Sequence, residues 1–317
     1  MAYKFAEDEP LRLAIARCAR EQLDRAIGEL SEGINDNPVT AVHNARKAIK
    51  KERSLLRLAR GAISSAERRR VNAALRDAAR VLSGARDTAV MLATVDQLSD
   101  RFVGQLPATT FDAIRERLEA HREDQRGSAL NARAVEELGA VRLQVGDWEL
   151  SEDGWKAIDR GLTRSYKRGR KALTRARKHR SMEDLHNWRK RVKDLWYHQR
   201  LLSPTCGPAV RGQAKDAHHA ADLLGDDHDL AVLSAALRSN SRAVPVDVDA
   251  VLNLIDHRRT ELQTEAIRIG RRLYAESPKA FRRRMRRSWN AGRATARMAV
   301  EQHAAELAAA TRQPTQS

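Results

Sequence analysis

His43, Arg46, Lys47 and Lys50 stand three, four and seven residues apart, which puts a histidine and three cations on one face of a helix. The same order returns 143 residues later as His186, Arg189, Lys190 and Lys193. Arg53 and Arg57 prolong the first face, and Tyr197 and Arg200 prolong the second. At about 100° per residue, each set falls within an arc of roughly 120°. Ala45, Ala48, Ile49, Leu55, Leu56 and Ala59 lie opposite the first set, and Trp188, Val192, Leu195 and Leu202 opposite the second. The apolar face is expected to hold each helix in a bundle. The basic face must meet water or a ligand, because burying unpaired cations costs too much. A solvated helix interleaves Glu with Lys, but these stripes carry no acid. Each stripe would extend about 21 Å, and cations in series without counter-charges suit a linear polyanion. A histidine beside phosphate would have its charged form favoured.

A third basic face precedes the second motif, where Arg164, Lys167, Arg168, Lys171, Arg175 and Lys178 follow helical spacing. The equivalent stretch of the first copy has Glu21, Asp24, Arg25, Gly28 and Glu32 instead. An asymmetric site, richer in the second copy, is therefore expected. Lysine use agrees: eight of the 12 lysines fall among Lys47, Lys50, Lys51, Lys167, Lys171, Lys178, Lys190 and Lys193, while Arg is spread throughout. Supporting contacts are expected from Arg69, Arg76 and Arg80, and from Arg211, Lys215 and His218 beside Asp222. Within the run Arg282, Arg283, Arg284, Arg286 and Arg287, only part can point inward; Arg283 and Arg286 are the candidates.

Asp226-Asp227-His228-Asp229 has residue types that could hold a metal ion. The first copy offers Gly84-Ala85-Arg86-Asp87 at the corresponding place, so those ligands do not repeat. The shared element is a basic residue, an Asp and an apolar run. That fits a helix start with Asp at the positive dipole end, or an Asp fixing a neighbouring Arg or Lys. No metal, cofactor or catalytic residue is assigned, since no nucleophile–base pair accompanies the stripes. A metal-dependent phosphohydrolase built on Asp226, Asp227, His228 and Asp229 stays as a third reading. Nucleic-acid binding is the second: the charge allows it, but Tyr197 is the main aromatic available for base stacking.

The elements that must position these residues are helices. The chain has 317 residues, 42% hydrophobic, enough for a core, and only 4% aromatic. Ala, Leu, Arg and Glu outnumber β-branched residues, which argues against a sandwich or barrel. Helices are expected near 11–33, 39–61, 65–83, 86–99 and 110–138, then 155–178, 182–203, 207–224, 228–239, 247–275 and 278–310. Pro38, Pro107, Pro204, Pro208, Pro245 and Pro278 stand at the breaks. The second motif also repeats, from Leu82–Val90 to Leu224–Val232, 142 residues on. Two matches in order at nearly one offset indicate a duplicated domain. The halves are 1–146 and 154–310, joined by a linker at 147–153 and followed by a tail at 311–317. The fold class is all-α, as two homologous four-helix bundles. The 59 Lys and Arg against 42 Asp and Glu give a net charge of +17. Two cysteines, no apolar run of about 18 residues and a partly acidic N-terminus point to a reducing, cytoplasmic setting without a membrane span or signal peptide.

The duplicated His-x-x-Arg-Lys-x-x-Lys helix, read with Arg86-Asp87 and His228-Asp229 before apolar runs, resembles the CHAD family, the conserved histidine α-helical domain. The copies read Val42-His43-Asn44-Ala45-Arg46-Lys47 and Leu185-His186-Asn187-Trp188-Arg189-Lys190; Leu223–Asp229 is similar to the family's second motif. The resemblance covers about residues 10–310. It implies two four-helix bundles related by a pseudo-twofold and a basic surface that binds inorganic polyphosphate; polyphosphate granules are a further partner expected of such a binder. Some relatives carry a fused triphosphatase tunnel domain, and no alternating Glu-x-Glu-x-Lys strand opens this chain, so a stand-alone, non-catalytic binding module is expected.

Overall fold

The computed structural model describes residues 3–82, 87–120, 128–146, 148–239 and 248–311. Among them there are helices and no strand. Helix α1 (Leu11–Gly28) runs through a π turn at Glu29–Gly33 into the single turn α2 (Ile34–Asp36). Asn37 ends that run and opens α3 (Pro38–Leu58): its side chain accepts from the Thr40 amide at 3.0 Å, and Pro38 fills the first helical position. A 3₁₀ turn at Ala59–Gly61 leads to α4 (Ser65–Val81), capped by Ser64. Then come α5 (Asp87–Arg101), α6 (Ala108–Ala120) and α7 (Ser128–Gly146). Asp153 caps α8 (Gly154–His179), and the same carboxylate accepts the Arg12 amide at 2.9 Å, tying this joint to α1. Arg180, at φ 48°, stops α8, and Ser181 caps α9 (Met182–Cys206). The chain finishes with α10 (Pro208–Ser239), α11 (Val248–Leu273) and α12 (Pro278–Thr311).

Three expected boundaries are corrected. The stretch 110–138 is not one helix but α6 and α7, with 121–127 between them outside the described residues. Pro204 does not end α9, which runs on to Cys206. Proline costs the bond to the carbonyl four residues back, Arg200, and that carbonyl instead accepts the Ser203 hydroxyl at 3.1 Å. The breaks expected at 225–227 are absent, since α10 is continuous through Gly225 and Asp226.

The apolar faces are where helical spacing puts them: Ala45, Ile49, Leu55 and Leu56 on α3, and Trp188, Val192, Leu195 and Leu202 on α9, are all buried. Burial of each large side chain contributes about 1.5–3 kcal/mol. The main core is a single cluster that includes Tyr3 and Trp289, and a smaller one joins α5 and α6 to α10 and α11. The N-terminal segment belongs to the main core: the Tyr3 hydroxyl donates to the Lys51 carbonyl at 2.8 Å, and the Phe5 amide to the Leu201 carbonyl at 3.1 Å. Close packing of α8 on the end of α3 depends on Gly161, where a β-carbon would meet the Arg57 and Leu58 carbonyls. The two motif helices are neighbours, and His198 Nε2 lies 2.9 Å from the Ser54 carbonyl across them. Cys18 and Cys206 are buried thiols. No described helix is long and apolar enough to cross a membrane.

Candidate functional site

The basic faces of α3 and α9 open into one cavity of about 490 Å³. Arg46, Lys50, Arg53 and Arg57 line it from α3, and Arg189, Lys190, Arg191 and Lys193 from α9. His186, Tyr197, His228, Asp194 and Asp229 complete the polar wall, with Ile49, Ala79, Val90, Met91 and Val232 as apolar lining. Eight cations against two carboxylates leave a strongly positive concavity, where low-dielectric walls focus the field.

Several of these groups are held in place. The Arg46 Nη1 donates to the Leu82 carbonyl at 2.7 Å, and Arg53 Nε to Asn72 Oδ1 at 3.1 Å. Arg57 Nη1 donates to the Arg53 carbonyl at 2.8 Å and to Asp194 Oδ1 at 3.1 Å. Arg191 Nη1 lies 2.9 Å from Asp194 Oδ2. The stripes themselves carry no acid, but Asp194, 4% exposed and off the stripe, neutralises part of the charge at one end of the cavity. Burial, and then neighbouring cations, lower the pKa of Arg53 and Lys190. His186 and His228 stack at 4.5 Å, and both Nδ1 atoms are buried without a hydrogen-bond partner among the described residues. Burial, then Lys190, His228 and Arg189, push His186 down to about 4, and burial, then Arg189, lowers His228. Both imidazoles are thus neutral near pH 7. Tyr197 contributes a wall rather than a stacking platform: it is 3% exposed, set edge-on to Tyr3, and burial raises its phenol to about 12.

Other expected residues lie elsewhere. His43 faces an adjoining cavity of about 410 Å³. On the wheel, Arg46, Lys50, Arg53 and Arg57 lie to one side of His43 and Lys47 to the other. Lys47 accordingly sits with Arg25 and Arg200 around Lys51, whose buried ammonium is lowered to about 8 by burial and then by these cations. Arg168, Lys171 and Arg175 line a shallow groove of about 330 Å³ with Asp184, Asn187 and Arg191; Lys167 is exposed on the same helix. Arg191 lines both groove and central cavity, so the α8 face continues the basic surface. The asymmetry expected between the copies resides in this groove, since the cavity takes four cations from each motif helix.

The supporting residues are more peripheral. Arg76 and Arg80 lie 3.4 and 3.6 Å from Asp77, Arg69 reaches Ser65 at 3.5 Å, and His218 Nδ1 lies 2.5 Å from Asp222. Arg211, Lys215, Arg283 and Arg286 are exposed outside these cavities. In the α12 run, Arg282 binds Asp159 and Arg284 binds Glu276, so both are structural. Among unanticipated residues, Arg191 and Asp194 fall off the main stripe. Arg60, Arg68 and Arg164 form a further cationic group, in which burial and mutual repulsion lower Arg60 and Arg68.

The four residues Asp226–Asp229 diverge around α10. Asp227, 2% exposed, points at α11 and accepts from Arg259 at 3.1 Å and Gln263 at 2.8 Å. The helix-start reading fails in the second copy, where α10 is continuous, whereas in the first copy α5 begins at Asp87; the residue that engages an arginine is Asp227, not the shared Asp229. No group of three or more His, Cys, Asp or Glu is placed to hold a metal ion among the described residues. Gly225 instead serves the cavity: a β-carbon there would stand 3.0 Å from Arg189 Nη2, so the glycine lets that guanidinium lie against α10. Of the first copy of this motif, 83–86 and the Asp87 side chain lie outside the described residues.

A family model described as the CHAD domain matches residues 17–238. The chain belongs to the CHAD family. The match takes in both motif helices and most of α10; α11 and α12 lie beyond it, so the CHAD region is shorter than the 10–310 expected. No curated protein matches the sequence.

Proposed function

We propose that this CHAD chain binds inorganic polyphosphate in the cavity between α3 and α9 and does not turn it over. The observation that carries this reading is the convergence of eight Lys and Arg, four from each motif helix, on one concave surface with two carboxylates. Such a surface matches a chain of repeated charges better than a single phosphate. The groove along α8 offers the same chain a way out of the cavity past Arg191, Arg168 and Lys171. Counterion release supplies much of the binding free energy, as it does for nucleic-acid backbones. Asp227 is engaged by Arg259 and Gln263, which favours holding over chemistry at the Asp motif.

We read α3 and α9 as equivalent helices of two homologous four-helix halves related by a pseudo-twofold. The repeated motif, the mutual packing of these helices and the burial of Lys51 and Asp194 at matching places support it. The proposed setting is the cytoplasm, at polyphosphate granules. Nucleic acid would compete through its phosphates alone, because Tyr197 is too buried to stack on a base.

Calorimetric titration over a salt series tests the proposal. Long-chain polyphosphate is expected to bind with a log–log salt slope of roughly −5, from about 0.7 per phosphate contacted. Orthophosphate is expected to bind orders of magnitude more weakly. Equal affinity for the two at physiological salt would refute the reading.

A further inference from the structure

We propose that the cavity beside the basic one receives the nucleoside end of a nucleoside polyphosphate whose phosphates lie among the cations of α3 and α9; this rests on the polyphosphate reading of that site. The two cavities adjoin, sharing Val90 and Asp229 in their walls. Their chemistry differs sharply. The second, of about 410 Å³, is lined largely by apolar groups, among them Leu98, Leu230 and Leu262. Its volume falls in the range of small-molecule sites.

Its polar lining offers acceptors to hydrogen-bond donors and, with two arginines against two aspartates, no net positive charge for phosphate. Asp226 and Asp229 present carboxylates. The two arginines in the wall, Arg101 and Arg258, are both spent on Glu261, each with a nitrogen 2.9 Å from its Oε2. Asp226 is exposed, and desolvation by its surroundings, then Asp229 and Asp222, raise its pKa. An inorganic chain gains nothing there. A polycation would pass the basic cavity unfavourably. Ribose hydroxyls and base N–H groups would find acceptors at the carboxylates, the base a partly apolar wall, and the attached phosphates the cations next door. His43 sits in this wall rather than in the phosphate cavity.

The test is calorimetry with ATP, GTP and UTP against inorganic tripolyphosphate, at one salt concentration with chelator present. Charge alone favours tripolyphosphate, which carries more negative charge. The proposal expects at least one nucleotide to bind the wild type about tenfold more tightly than tripolyphosphate. Ala93→Trp, which fills the second cavity from an exposed position on α5, is expected to abolish that preference and leave tripolyphosphate affinity within about twofold. Asp226→Ala separates recognition from charge: it should weaken the nucleotide while strengthening tripolyphosphate, whereas a purely electrostatic Asp226 would strengthen both. Nucleotides no tighter than tripolyphosphate, or parallel losses in Ala93→Trp, overturn the proposal while the polyphosphate reading stands. Failure of both ligand classes to bind wild type overturns the two together.

Discussion

The Arg57 guanidinium of α3 donates to Asp194 Oδ1 of α9 at 3.1 Å, across the boundary between the two copies of the basic motif. Asp194 also holds Arg191 at 2.9 Å, so one buried carboxylate offsets two cations that would otherwise repel each other and Arg53. The site is strained by its own charge, and this aspartate relieves part of it. Asp194→Asn is expected to destabilise the fold by about 1–3 kcal/mol. The same change removes a negative charge from the cavity and should tighten polyphosphate binding. Thermal unfolding with calorimetry checks both; a variant that loses stability and affinity together would make Asp194 an organiser of the site rather than a counter-charge.

Gly225 makes room for Arg189, and the obstacle to a larger residue is the far end of a flexible side chain. Gly225→Ala should therefore fold well, gaining up to about 1 kcal/mol of helix propensity. Displacement of the guanidinium should weaken polyphosphate binding severalfold. Unchanged affinity in a titration of this variant would show that Arg189 does not meet the ligand.

Protons should be taken up on binding. His186, pushed down to about 4, and His228, also lowered, are neutral at pH 7 and face Lys190, Arg189 and Lys50 on one side and Asp229 on the other. Between an unfolded pKa near 6.5 and a folded value near 4, the unfolded chain binds more protons at His186, so this histidine lowers stability as pH falls through that window, and the lowered His228 acts in the same direction. Phosphates beside the rings favour the imidazolium form and reverse the effect. The stabilisation given by saturating polyphosphate, read as a shift in Tm, is expected to grow from pH 7.5 to 5.5. A shift independent of pH would exclude the pair from the binding surface.

Glu52 lies 0% exposed on the buried side of α3, with neither carboxylate oxygen bonded among the described residues. Burial raises it to about 8. The folded chain keeps its proton while the unfolded chain releases it above about 4.5, so this group costs stability progressively as pH rises from 4.5 to 8. Glu52→Leu is expected to stabilise by about 1–3 kcal/mol at pH 7.5, with the gain shrinking toward pH 5. Chemical denaturation at the two pH values measures it.

Helical periodicity made the cavity walls readable in advance, because Ile49, Leu55, Trp188 and Val192 had to face a core and Arg46, Lys50, Arg189 and Lys193 then had to face away from it. What periodicity could not convey was tertiary pairing. Asp194 lies to one side of the basic stripe, at the place where the first copy has Lys51, and its role appears only when Arg57 arrives from 137 residues away. Gly225 and Asp226 carry local signals for a break, yet packing against Arg189 and α11 carries the helix through them. Pro204 was misleading for a similar reason, a hydroxyl one residue away standing in for the lost amide. Tyr3 and Phe5 precede any periodic segment, so their place between α3 and α9 left no local trace.

The most direct measurement is calorimetric titration of long-chain polyphosphate into wild type, a Lys50→Glu, Lys190→Glu double variant and a Lys47→Glu, Arg211→Glu control. Both double variants change net charge equally, but only the first pair lines the cavity. With helical circular dichroism intact in each, the cavity variant should lose affinity about a hundredfold or more and the control about tenfold or less. Equal losses in the two variants would mean that polyphosphate reads the overall charge of the protein, and that α3 and α9 do not form its binding site.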